Sequence, residues 1–186
     1  YLILPYLRET LEELKTRKPD AKPAFRARVA IVGSEIDDPN LTKLIESCGA
    51  LVVSDRYCFG STPGREVIEL NDEEDALRQI CLHIMQHSEC ARYISDEKVL
   101  QRRETADRLA KEYGAEGIIY EQMKYCDYWG FERALVSHIM HDEYGWPVLS
   151  IDRLYNNGNS GQLRTRVQAF VESLEIKRIH KEEGKA

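Results

Sequence analysis

Two cysteines in this chain stand where a thiol can do chemistry. Cys126 lies in the polar segment KYCDY (residues 124–128), directly after an apolar run and just ahead of a helical pattern. At such a loop-to-helix start, the helix dipole and the Lys124 ammonium favour a thiolate, the form that ligates metals and attacks electrophiles. Cys58 occupies a matching place, in DRYCFGS (residues 55–61), after another apolar run. Cys48 and Cys81 fall at apolar positions of helical patterns and read as core. Cys90 follows His83 and His87, and a His pair at i and i+4 with a nearby Cys could hold a metal. The glutamate that follows the first His in zinc hydrolases is missing there, so the segment reads as a surface helix end. Five cysteines without a CxxC pair point to reduced thiols in a cytoplasmic setting rather than to a disulfide framework.

The other polar candidates are less specific. GNSG (residues 158–161) precedes a helical pattern, and Asn159 or Ser160 there could cap the helix or help to hold a phosphate. Arg164 and Arg166 could reach an anion or solvate the helix. Neither a Walker A loop nor G-x-G-x-x-G is present, which disfavours the standard nucleotide sites. Glu35, with Asp37 and Asp38, could serve acid–base chemistry or simply form a loop leading into a helix.

Strands and helices must bring these residues together. Residues 28–33, 50–54, 117–120 and 146–151 are short apolar runs bounded by Gly, Pro or polar residues, and read as strands. Helical spacing recurs over 5–18, 41–48, 73–87, 95–113, 131–144 and from Gln162 onward. Two prolines make residues 18–25 a linker, and the first helix either docks on the following domain or is the tail of an upstream one. The expected organisation is therefore a helix and linker (1–25), one α/β domain (26–178) and a polar tail (179–186). Strands alternating with helices imply a parallel sheet covered on both faces. Right-handed crossovers favour the order 2-1-3-4, a flavodoxin-like three-layer sandwich. Its C-terminal edge collects Gly33, Ser34 and Glu35; Arg56, Tyr57, Cys58 and Gly60; Lys124 to Asp127; and Arg153, Tyr155, Asn159, Ser160 and Gly161. Ligands bind at such edges.

Composition excludes several classes. The chain has 186 residues, 42% hydrophobic and 31% charged, which suits one globular domain and is too apolar for disorder. A net charge of −6 with dispersed basic residues argues against a nucleic-acid surface. No apolar run approaches a membrane span, and the N-terminal stretch lacks the marks of a signal peptide. The missing initiator Met suggests a chain that begins mid-protein.

Taken together, GSEIDDP (33–39), LVVSDRYCFGS (51–61), MKYCD (123–127) and GNSGQLRTRVQAF (158–170) resemble the C-terminal domain of the 2-hydroxyacyl-CoA dehydratase and class I benzoyl-CoA reductase family. The resemblance covers roughly residues 26–175. It implies an iron–sulfur cluster (4Fe-4S or related) held by cysteine thiolates and shared between flavodoxin-like domains of an oxygen-sensitive heterodimer. It also implies an acyl-CoA substrate, a homologous second subunit and an ATP-dependent activator protein that delivers one electron. The reaction is dehydration through a ketyl radical anion or, in the reductases, reduction of an aromatic ring. On this resemblance Cys126 matches the cluster ligand given by the C-terminal domain, and Cys58 is a ligand or part of the pocket wall. Ser34, Glu35, Lys124, Asn159, Ser160 and Arg164 would be the nearby substrate-binding groups. The remaining ligands would come from an upstream domain, so catalysis is expected of the parent protein rather than of this chain alone. The rival expectation is a non-catalytic flavodoxin-like domain that holds phosphate or CoA, or serves assembly. A thiol enzyme ranks last, because no histidine falls near the edge.

Overall fold

In the computed structural model, which describes residues 2–18, 24–34, 36–58, 60–62, 65–155 and 160–184, four parallel strands form one sheet in the order β2-β1-β3-β4. The elements run α1 (Ile3–Thr16), β1 (Ala27–Gly33), α2 (Asn40–Ser47), β2 (Ala50–Arg56), α3 (Ala76–His87), α4 (Asp96–Glu112), β3 (Gly117–Met123), α5 (Asp127–Asp142), β4 (Val148–Arg153) and α6 (Ser160–Glu183). This is the α/β, flavodoxin-like architecture and strand order expected from the sequence.

The sheet is covered on both faces because its strands are apolar on both. On one side Val29, Ile31, Ile119 and Ile151 pack with Leu41, Leu44 and Ile45 of α2 and with Val167, Val171 and Leu174 of α6. On the other, Ala30, Val32, Ile118 and Tyr120 meet Ala106 and Ala110 of α4 and Trp129, Val136 and Met140 of α5. The central strand β1 is buried at six of its seven positions, as an inner parallel strand must be. Gly33 ends it where the backbone of β3 passes closest: a Cβ there would lie 2.1 Å from the Glu121 carbonyl oxygen.

Several boundaries differ from the sequence reading. Strands β2 and β3 extend through polar residues to Arg56 and Met123, because ladder hydrogen bonds do not depend on side-chain polarity. Helix α5 starts at Asp127 rather than Phe131, which makes Cys126 its N-cap residue. Helix α6 continues to Glu183, through residues that read as part of a polar tail. Helix α3 begins at Ala76, capped by the Asp75 carboxylate, which accepts from the Arg78 N–H at 3.0 Å. It buries none of its residues, so Cys81 is exposed, which corrects its reading as core; Cys48 is buried as expected. Helix α1 also buries nothing, and Leu7, Leu11 and Leu14 stand exposed. It does not dock on the domain. Most of the linker (19–23) lies outside the described residues. No helix among the described residues is long and apolar enough to cross a membrane.

Candidate functional site: a thiol-lined mouth at the sheet edge

The C-terminal edge divides into two parts. The first is the seam between β1 and β3, where the strand order reverses. Ser34, just past β1, donates its Oγ hydrogen to Glu121 Oε2 at 2.7 Å and accepts from the Met123 N–H at 2.6 Å. Glu121 Oε1 lies 2.7 Å from Arg153 Nε on β4. Ser34, Glu121 and Arg153 are all buried, Glu121 completely. Burial pushes the Glu121 carboxyl above its ordinary value, while Ser34 and Arg153 pull it back down. Ser34 is thus engaged within the seam by Glu121 and the Met123 N–H.

The second part holds the thiols. β3 ends in a tight turn in which the Cys126 N–H donates to the Met123 carbonyl at 3.0 Å. Tyr125, at φ 74°, is the one non-glycine residue with positive φ among the described residues, and it is fully exposed to solvent. A tyrosine held in that region stores strain, and such strain concentrates at functional sites. Here it lets the chain reverse and start α5 at once, so that Cys126 sits at the helix's positive end. The Gln122 amide also donates to the Cys126 carbonyl at 3.2 Å.

Cys58 stands beside it on the β2 side. The residue is exposed, yet its sulfur accepts a hydrogen bond from the Trp129 indole N–H at 3.1 Å. Burial raises the Cys58 thiol above its ordinary value; the Trp129 N–H opposes this, the charges of Cys90 and Cys126 add to it, and Arg56 opposes it. Cys58 and Cys126 thus meet at the same end of α5, one through the Trp129 side chain and the other as the N-cap residue. Cys90 behaves in the opposite sense. Burial would raise it, but the backbone N–H and guanidinium of Arg92 and the charges of Arg92 and Arg56 bring it below its ordinary value. Arg92 Nε is 3.4 Å from the Cys90 sulfur.

Arg56 links these groups. It is 2% exposed, pairs with Glu89 through Nε at 2.8 Å, and lies 5.4 Å from the Trp129 ring centroid. Its Nη1 is buried without a hydrogen-bond partner among the described residues. A buried cation with a spare N–H, acting on both Cys58 and Cys90, is suited to offset thiolate charge.

Of the residues singled out from sequence, Cys126 and Cys58 are brought together. Lys124 is pinned to the neighbouring strand: its N–H donates to the Arg153 carbonyl at 2.7 Å, and its ammonium lies 3.5 Å from Asp152. Arg164 donates to Ser47 Oγ at 2.8 Å across the seam between α2 and α6, away from the thiols. Glu35 and Asn159 lie outside the described residues, and Ser160 is described only as the first residue of α6. Sequence reasoning places Arg56 at this edge without giving it a role, and gives none to Trp129. Cys90 reads as a surface helix end; it lies three residues past the end of α3, and its thiol is partly buried.

Fold and site together define a flavodoxin-like α/β domain that presents cysteines at the C-terminal edge of its sheet. The chain belongs to the 2-hydroxyglutaryl-CoA dehydratase, D-component family, whose family model matches residues 2–174. It is 29% identical over 169 residues to the (R)-phenyllactyl-CoA dehydratase beta subunit of Clostridium sporogenes, covering 90% of this chain and 43% of that protein. It is 27% identical over 152 residues to a protein of Escherichia coli (strain K12) named as a putative dehydratase subunit, YjiM, covering 80% of this chain and 38% of that protein. The chain thus spans about two fifths of the length of the curated relatives it matches.

Proposed function

We propose that this chain is the C-terminal portion of a 2-hydroxyacyl-CoA dehydratase subunit and supplies thiolate ligands to an iron–sulfur cluster. The observation that carries this reading is that Cys126 is the N-cap residue of α5 while Trp129, in the first turn of the same helix, donates its indole N–H to the Cys58 sulfur at 3.1 Å, with the buried, incompletely bonded Arg56 against the Trp129 ring. The donor set fits the group. Cysteine thiolates are the ligands of such clusters, and Trp129 already offers an N–H to one sulfur. Hydrogen bonds to sulfur and a nearby cation are the means by which a protein tunes a cluster's potential. These cysteines fall short of four thiolates, so at least one ligand comes from elsewhere in the subunit or from a non-protein group.

When bound, the cluster supplies one electron at low potential to the thioester of an acyl-CoA. The chain's own residues do the rest of the local work. Cys126 holds a sulfur at the positive end of the α5 dipole, next to the free N–H groups of the first turn. Trp129 orients the Cys58 sulfur, and Arg56 offsets the added negative charge. The buried Ser34–Glu121–Arg153 seam holds β1, β3 and β4 in register, and so fixes the turn that carries Cys126. A homologous second subunit and an ATP-dependent activator belong to the same proposal, as does a choice of dehydration over ring reduction, which the family membership favours.

Anaerobic reconstitution of the full-length subunit with iron and sulfide tests the reading. Thiolate-to-iron charge-transfer absorption and bound iron are expected in the wild type, with both lost or strongly reduced in Cys126→Ala. Iron that is retained unchanged in Cys126→Ala removes Cys126 from the ligand set. A wild-type subunit that takes up no iron overturns the proposal and leaves a domain that binds phosphate or CoA without redox chemistry.

A further inference from the structure

Helix α3 buries none of its residues, yet two of its side chains are held in a defined arrangement that packing does not explain. His83 and His87, one turn apart, stack their rings at 4.1 Å between centroids and 25° between planes. His87 Nδ1 lies 2.9 Å from the His83 carbonyl oxygen. A carbonyl can only accept, so the ring proton sits on Nδ1 and the Nε2 lone pair is left free. This is the backbone-to-imidazole contact that orients histidines in metal sites. Facing both rings is Glu66, from the connection between β2 and α3, with Oε2 3.7 Å from His83 Nε2 and 3.9 Å from His87 Nε2. Those separations are too long for hydrogen bonds. The three donor atoms nevertheless all lie within 4.8 Å of one another.

We propose that Glu66, His83 and His87 form a binding site for a divalent transition-metal ion of the zinc class. Donors around a tetrahedral zinc at ordinary bond lengths stand roughly 3.3 Å apart, so a shift of about half an ångström brings the Glu66 oxygen to the spacing of a shared ion with either imidazole. Two imidazoles with one carboxylate suit zinc, cobalt or nickel, whereas magnesium and calcium require mainly oxygen donors. Three protein ligands leave at least one position to water or to a further ligand.

The ion would tie together two stretches that are otherwise weakly held. Glu66 follows Cys58 by eight residues, and His87 precedes Cys90 by three. Ligation would therefore fasten the segments that carry Cys58 and Cys90, without using a thiol itself. The site does not depend on the cluster reading, and the two fail separately.

Titration of the full-length, reduced protein with Co2+ tests the assignment. The expected result is one equivalent of Co2+ with the ligand-field bands of nitrogen and oxygen coordination, displaced by Zn2+ but not by Mg2+, and retained when the mouth cysteines are blocked by alkylation and give no thiolate-to-cobalt charge-transfer band. Glu66→Gln weakens binding by at least about tenfold and His83→Ala abolishes the bands. Because α3 is exposed, both variants are expected to keep the wild-type circular dichroism, and a variant that unfolds is replaced by His87→Gln. Absence of the bands from the wild type, their survival in the folded His83→Ala or His87→Gln protein, or coordination by sulfur alone overturns the site.

Discussion

The two halves of the sheet's C-terminal edge solve opposite problems. At the reversal of strand order, Ser34, Glu121 and Arg153 close on one another and exclude water. Farther along the same edge, Cys58 is left exposed and Cys90 and Cys126 only partly covered. The sealed half uses polar groups for structure, each engaged by another; in the open half the Cys58 and Cys90 sulfurs each accept an N–H, and one guanidinium nitrogen of Arg56 has no hydrogen-bond partner among the described residues. The difference teaches that polarity at the mouth is a poor guide to function, and that an uncommitted donor or acceptor is a better one. At the topological switch point, where a ligand is expected by general rule, Ser34, Glu121 and Arg153 engage one another.

The largest expected effect lies in the sealed half. Arg153→Ala strands a fully buried carboxylate and is expected to cost about 3–5 kcal/mol, read as a lower urea midpoint; a change near zero would make the seam ornamental. Ser34→Ala removes one donor and one acceptor and is expected to cost about 1–3 kcal/mol in the same measurement. The pH dependence follows from Glu121, whose carboxyl burial raises above its ordinary value. Folding favours its protonated form, so this contribution to stability is complete below the unfolded value and is lost as pH rises through the raised folded value. Glu121→Gln should flatten that part of the stability–pH curve, and an unchanged slope would assign it to another group.

Smaller effects are expected in the open half, and they appear in reactivity rather than stability. Trp129→Phe removes the N–H that opposes the rise of the Cys58 thiol, and Arg92→Ala removes the group that lowers Cys90. In each variant a smaller share of the affected cysteine is thiolate at neutral pH. Alkylation of that cysteine, followed by peptide mass spectrometry, should slow by up to about tenfold. Equal slowing of both thiols by either variant would contradict separate control. Cys58→Ser, at an exposed position, should leave the urea midpoint within about 0.5 kcal/mol of wild type.

Local pattern carries the architecture. The apolar runs, their glycine ends and the helical spacings are enough to place four parallel strands in the order 2-1-3-4, because each is a short-range consequence of which faces must be buried. The same reasoning puts Cys126 and Cys58 at one edge, since strand direction alone fixes which loops share an end. It fails where burial gives no signal. Helix α3 carries an amphipathic pattern but buries none of its residues, so Cys81 reads as core and is exposed. The start of α5 is not legible because Cys126 makes no side-chain cap hydrogen bond, and the turn depends on Tyr125 taking a conformation that its residue type disfavours.

What the sequence by itself determined was the sheet, its edge and the thiols that follow its strands. Tertiary structure alone decided that Trp129 meets Cys58, that Glu121 is closed off by Ser34 and Arg153, and that Glu66 faces His83 and His87. Each of these depends on the path of a long connection or on side chains from separate strands. Hydrophobic periodicity records which residues leave water, but it carries no record of which polar atoms then meet.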